Sequence, residues 1–210
     1  MSEFCGQYPD IQPDVQLSDG IGNWVLERAD VGFRIGTSPD DGVIARRLFA
    51  VQLIVCAAPA YLQRHGTPLS LDELSAHRCS VFRHPTTGKV VPWYLKVGGE
   101  IVQRHVPPFL FTNDTELELQ SVLSGHVIGQ LANLSAAPYI RSGQLVPVLL
   151  PHISEHIGVH VYYGSRQAQP KRVRAFVDLA IARLLDTADF VLSAKELAAA
   201  HQAHRAKRKR

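Results

Sequence analysis

The chain has 210 residues, 46% of them hydrophobic, and a formal net charge of +3. That apolar content supports a core and excludes disorder as the class, and no apolar run approaches the ~20 residues of a membrane helix. Five positive charges (Arg205, Lys207, Arg208, Lys209, Arg210) lie in the last six residues, so the rest carries −2 against the whole chain's +3 and is no nucleic-acid-coating surface.

Cys5, Cys56 and Cys79 are an odd number with no close pair, which fits a reducing cytoplasm better than a disulfide framework. The first residues have neither the basic head nor the apolar stretch of a secretion signal. The expected location is cytoplasmic.

Tyr8-Pro-Asp10 reads as a helix end passing into a turn. Ile11, Val15 and Leu17 suggest a strand interrupted by Pro13. Ser18 or Asp19 can cap a helix through Trp24, Val25 and Leu26 to about Arg28. Val31 to Gly36 is a short strand, and Thr37 to Gly42 is a loop rich in Ser, Pro, Asp and Gly. Leu48 to Ala58 is apolar and long enough to cross the molecule as a buried strand. Pro59 suits the first position of a helix, with Tyr61 and Leu62 packing and Gly66 stopping it. Ser70-Leu-Asp-Glu73 has capping-box spacing and opens a short helix to about Ala76. Cys79 to Phe82 is a strand, Arg83 to Gly88 a hairpin tip, and Val90 to Val97 the returning strand. Ile101 to Val106 is another, broken by Pro107-Pro108.

Phe109 to Phe111 has the character of a short buried parallel strand. Asn113 can cap the following helix, with Glu116 three residues on. Leu117, Leu119, Val122 and Leu123 form its apolar side, and Gly125 offers a left-handed stop before Val127 and Ile128. Thr112, Asn113 and Asp114 thus occupy a strand-to-helix junction, where open α/β sheets bind ligands. Exposed N–H groups at that helix end would suit a small anion; the plainer reading is a helix cap and nothing more. Leu134 to Arg141 is a helix ended by Gly143. Leu145 to Leu150 is an edge-like strand, since Pro147 cannot donate to a ladder, and Ile157 to Tyr163 is a second crossing strand. Pro170 begins the clearest helix, with Val173, Phe176, Val177, Ala180, Ile181 and Leu184 on one face. Ser193 with Glu196 restarts a helix that runs into the basic tail.

Alternating strands and helices argue for an α/β fold with largely parallel sheets. The crossing strands divide the chain into a first lobe of 1–58 plus 153–190, a second of 59–152, and a helical basic tail of 191–210.

The common phosphate-loop, nucleophile-elbow and zinc-protease motifs are all missing from the sequence. Cys79 and His84 suggest a nucleophile pair only by proximity along a strand, which does not create hydrogen-bond geometry. His152, His156 and His160 would stack as metal ligands on a helix, but Pro151, Ile153, Gly158 and Val159 favour strand or loop, which scatters them. No catalysis, metal or cofactor is expected. The basic tail is either a solvated run or a phosphate contact. Arg34, beside Gly36, is either a surface arginine or a carboxylate or phosphate fork.

Several stretches together resemble the effector-binding domain of LysR-type transcriptional regulators. They are Tyr8-Pro-Asp10, Leu17-Ser-Asp19, Ala29-Asp-Val-Gly-Phe-Arg-Ile-Gly36, Ala58-Pro-Ala-Tyr-Leu62, His77-Arg-Cys79, Pro92-Trp-Tyr94, Thr112-Asn-Asp114, Gly125 with Gly129, Ser142-Gly-Gln-Leu-Val-Pro-Val-Leu149 and Arg172-Val-Arg-Ala-Phe-Val-Asp178. The likeness spans about residues 4–186 and rests on their joint order and spacing. It implies two Rossmann-like lobes of periplasmic-binding-protein type II, joined by two crossover strands, with a small effector, an organic or aromatic acid, in the interlobe cleft. By position it implies effector contacts from Arg34, Gly36, Cys56, Ala57, Thr112 and Asn113, with Arg83 or His84 near the rim. It also implies a homodimer or tetramer in the full-length protein, and DNA binding only through an N-terminal helix-turn-helix missing from these residues. The family's first effector-domain strand is missing as well, so the chain reads as N-terminally truncated. Gly125-His-Val-Ile-Gly-Gln130 departs from the family's small and apolar pattern. The rival readings are a stand-alone small-molecule-binding module without DNA-binding activity and a small hydrolase using Cys79 or Cys56.

Overall fold

Residues 44–57 form the longest strand, β2 (Ile44–Ala57). The computed structural model describes residues 1–17, 29–37, 44–164, 170–185 and 187–208. From Val51 onward β2 is buried on both faces, and its period of two divides its side chains between two cores. Val55 and Ala57 join Tyr61, Leu62, Leu74, Val81, Trp93 and Leu95. Ile54 and Cys56 join Leu119, Val122, Leu131, Ile140, Leu192 and Leu197.

The chain forms two compact units, one of residues 1–50 with 157–187 and one of 51–156 with 188–210. In the first, β1 (Val31–Gly36) pairs antiparallel with β9 (Ser154–Tyr163) from Val31 opposite Tyr163 to Gly36 opposite Gly158. Helix α5 (Lys171–Leu184) buries Val173, Val177 and Ala180, the stripe its apolar spacing predicts. The short α1 (Ser2–Gln7) buries Phe4, whose ring meets Phe176 edge-on at 5.0 Å. Residues 11–17 form no strand; Leu17 is 94% exposed, and Pro13 removes a ladder donor. The helix expected at 18–28 lies outside the described residues, as does the loop after Thr37.

In the second unit β2 pairs antiparallel with β7 (Gly129–Ala132) and β8 (Val146–Pro147). β3 (Cys79–Phe82) runs parallel to β6 (Pro108–Thr112), and Cys79 bridges Ile128 in the same sense. The expectation of largely parallel sheets is therefore corrected: among the described residues β3 pairs in parallel, whereas β1 with β9, and β2 with β7 and with β8, run antiparallel. The edge-like strand expected to Leu150 stops at Pro147, because Leu149 turns the chain with a φ of 52°. Pro147 sits buried opposite Cys56.

β4 (Trp93–Val97) and β5 (Glu100–Arg104) form a separate hairpin. A side chain joins it to β7: Gln130 accepts from the Tyr94 N–H at 2.9 Å and donates to its carbonyl at 2.8 Å. Helix α2 (Pro59–His65) starts at Pro59 and ends at Gly66 with φ 81°. The segment after Ser70 is a 3-10 turn, Asp72–Ala76, in which Glu73 accepts from the Leu69 N–H rather than from that of Ser70. Helices α3 (Thr115–Leu123), α4 (Asn133–Arg141) and α6 (Ala194–Arg208) complete the unit.

Candidate functional site

β3 and β6 run parallel, so their carboxyl ends meet, with Phe82 opposite Thr112. The Arg83 N–H donates to the Thr112 carbonyl at 2.7 Å, binding the two ends together. The exposed Arg83 guanidinium stands over the Phe111 ring at 5.0 Å and donates to the Gly88 carbonyl at 2.8 Å. Buried Thr112 accepts from the Asp114 N–H at 3.0 Å through Oγ1. Three of the expected site residues, Arg83, Thr112 and Asn113, are therefore neighbours here, and Asn113 is exposed.

Asp114, not Asn113, caps α3, accepting from the Leu117 N–H at 2.6 Å. Thr112 Oγ1 selects the residue by tying down the Asp114 backbone. With the Asp114 carboxylate on the helix end and Glu116 in its first turn, the positive pole of α3 is already matched by the chain's own acids. The cation at this strand end is Arg83.

Cys56 and Ala57 are fully buried at the carboxyl end of β2, with Cys56 opposite Gly129 and Ala57 opposite Val146. Burial pushes the Cys56 thiol up, and the nearby Glu118 charge adds to this. Apolar periodicity does not single out Glu118. It is only 6% exposed, while Leu117, expected on the apolar side, is 54% exposed. Ser80 Oγ donates to the Glu118 carboxylate at 2.6 Å. Gly129 lies between Ser80 and Cys56 across the sheet, and a Cβ there would stand 2.8 Å from Ser80 Oγ and 2.7 Å from Val122. The sequence signal for the buried acid is the three-residue interval from 119 to 122, which puts 118, 119 and 122 on one face. Burial raises the Glu118 carboxyl, partly offset by the Ser80 hydrogen bond.

In the first unit Arg34 is half-buried on β1 opposite His160, and Gly36 is opposite Gly158. Arg47 packs where a Gly158 Cβ would be, 2.5 Å from its Nε. Burial lowers the His160 imidazole, and Arg47 lowers it further.

The remaining chemistry-bearing residues have other tasks. Burial pushes the Cys79 thiol up to about 12. His84 Nδ1 accepts from the N–H groups of Thr86 and Thr87 at 3.2 Å, closing its own turn. His152 Nδ1 lies 2.8 Å from the Lys96 carbonyl, and His156 stacks on Tyr94 at 4.8 Å. Among the described residues no group of three His, Cys, Asp or Glu side chains is placed to hold a metal. Among them, too, no helix is long and apolar enough to cross a membrane.

The family description "LysR substrate binding domain" matches residues 1–185. The chain belongs to the LysR family. An HTH-type transcriptional regulator of Xanthomonas campestris pv. campestris is 32% identical over 196 residues, which are 92% of this chain and 57% of that protein. The chain thus spans under two thirds of that relative's length. The regulatory domain of CrgA, a LysR-type transcriptional regulator from Neisseria meningitidis, superposes with a TM-score of 0.76 at 30% identity, covering 87% of this chain and 89% of that one. Full-length AphB, the Vibrio cholerae virulence activator, gives 0.76 at 26% identity, over 88% of this chain and 62% of its own. These neighbours have the periplasmic-binding-protein type II architecture of LysR regulatory domains, so this chain is an effector-binding domain of that class.

Proposed function

We propose that this domain binds a small organic or aromatic acid and that binding regulates transcription by the whole protein. The observation that carries the acidic preference is the exposed Arg83 guanidinium at the β3–β6 strand end, bonded through its backbone to Thr112 beside exposed Asn113. A planar guanidinium there matches a carboxylate fork. In the first unit the proposed contacts are Arg34 and Gly36; Cys56 and Ala57 support the strand end from inside the second. The whole protein would act in the cytoplasm as a dimer or tetramer, without catalysis, and would reach DNA through a helix-turn-helix, a reading supported by relatives named HTH-type transcriptional regulators.

A thermal-shift screen of the 210-residue chain against aliphatic and aromatic acids, each beside its neutral amide, tests this. At a hundredfold excess over Kd the matching acid is expected to raise Tm by about 5–10 °C. Equal shifts from acid and amide, or shifts from amines alone, would refute the acidic preference.

A further inference from the structure

The turn that follows β3 is built around one imidazole. The His84 N–H donates to the Lys89 carbonyl at 2.8 Å, and the His84 carbonyl accepts from the Gly88 N–H at 2.8 Å. Pro85 has no N–H, so the first main-chain donors inside the turn are those of Thr86 and Thr87. His84 Nδ1 accepts from both, at 3.2 Å each. An asparagine or aspartate oxygen does the same work in a turn. The turn closes at Gly88, whose φ of 67° suits a residue without a Cβ. At its base Arg83 bridges Val90, and the Val91 N–H donates to the Phe82 carbonyl at 2.9 Å.

Closed in this way, the turn carries the Gly88 carbonyl back to Arg83. Arg83 Nη1 donates to it at 2.8 Å, and the guanidinium carbon stands 5.0 Å from the centre of the Phe111 ring. The hydrogen bond holds one end of the planar group, and the ring supports its face. The Nε–Nη2 edge remains, two parallel N–H groups with no partner among the described residues. That is an edge that takes a carboxylate with two bonds. An arginine already held loses less side-chain freedom when it binds than one that swings in water.

We propose that His84 is a positioning residue for the effector. By holding the turn it keeps the Gly88 carbonyl on Arg83 and so presents the Nε–Nη2 edge to a carboxylate, without touching the ligand itself. The role rests on the reading of Arg83 as the cation that meets an acidic effector.

The test uses benzoate and its neutral amide, benzamide, as probes, titrated by NMR into wild type, His84→Ala, His84→Asn, Arg83→Ala and the double alanine variant of both residues. Before either probe is added, carbon-detected spectra follow the Arg83 Nε–Cζ pair, which the Phe111 ring displaces. His84→Ala is expected to move that signal toward the position of an unstacked arginine. It is also expected to weaken benzoate about three- to tenfold and to leave benzamide unchanged. His84→Asn keeps an acceptor for the turn and is expected to restore both readouts. In the double variant the loss of His84 is expected to add nothing to Arg83→Ala, since it acts through Arg83. An Arg83 signal unmoved in His84→Ala overturns the positioning role, and so does equal weakening of benzoate and benzamide. If Arg83→Ala weakens benzoate and His84→Ala does not, the positioning role alone fails. If Arg83→Ala binds benzoate as wild type does, the acidic-effector reading fails and the role falls with it.

Discussion

Ser80 Oγ donates to the Glu118 carboxylate at 2.6 Å, and this hydrogen bond joins α3 to β3 inside the second unit. Burial raises the carboxyl above its usual 4.5, and the Ser80 bond offsets only part of the rise. An acid raised in the folded state binds its proton more tightly there than in the unfolded chain. Stability is therefore fully present below about 4.5 and is lost as pH rises through the folded value. Glu118→Gln keeps an acceptor for Ser80 and carries no charge. We expect it to match wild type at low pH and to melt higher at pH 8, by about 2–4 °C for each kcal/mol recovered. Parallel melting curves at all pH values would show that the carboxyl is not the source.

Gly129 makes room for that pair. A Cβ there meets Ser80 and Val122 under 3.0 Å, and neither neighbour is the far end of a flexible chain. Gly129→Ala is expected to destabilise the protein by about 1–3 kcal/mol in urea unfolding, as overpacking does. A midpoint unchanged from wild type would mean α3 can move away at no cost.

Gln130 acts as a substitute strand for β4 by bonding both backbone groups of Tyr94. Gln130→Ala leaves that N–H and carbonyl without this partner, at about 1–3 kcal/mol for each group left unsatisfied. Hydrogen exchange should then speed at Tyr94 while β2 stays protected. Unchanged exchange at Tyr94 would contradict the role.

Cys5 is exposed, whereas Cys56 and Cys79 are buried with raised thiols. A thiol reagent at pH 8 should label Cys5 rapidly in the native chain and all three cysteines in denaturant. Rapid native labelling of Cys79 would revive the hydrolase reading.

The parts of the fold written in local chemistry were legible. Pro59 and Gly66 bracket α2, Ser193 and Glu196 cap α6, and Val173, Val177 and Ala180 turn α5 inward. What depended on partners distant in sequence was not. Glu118 is buried only because Ser80, 38 residues away, bonds it and Gly129 leaves space, and neither is visible in the helix's own pattern. Asn113 and Asp114 are both good caps, and the Thr112 hydroxyl decides between them. At the candidate site, Arg83, Thr112 and Asn113 came together because parallel pairing aligns two strand ends. Cys56 and Ala57 lie within an apolar run that reads the same whether its end is covered or open.

The most direct test of the central claim is isothermal titration calorimetry with the acid that raises Tm most. It compares wild type, Arg83→Ala, Thr112→Val and the control Arg104→Ala, whose side chain pairs with exposed Asp72. Losing one charge-assisted hydrogen bond predicts about tenfold or more weaker binding for Arg83→Ala. Thr112→Val is expected to weaken binding as well, and Arg104→Ala to leave it unchanged. An unchanged Kd in both site variants would contradict the assignment of this strand end to an acidic effector.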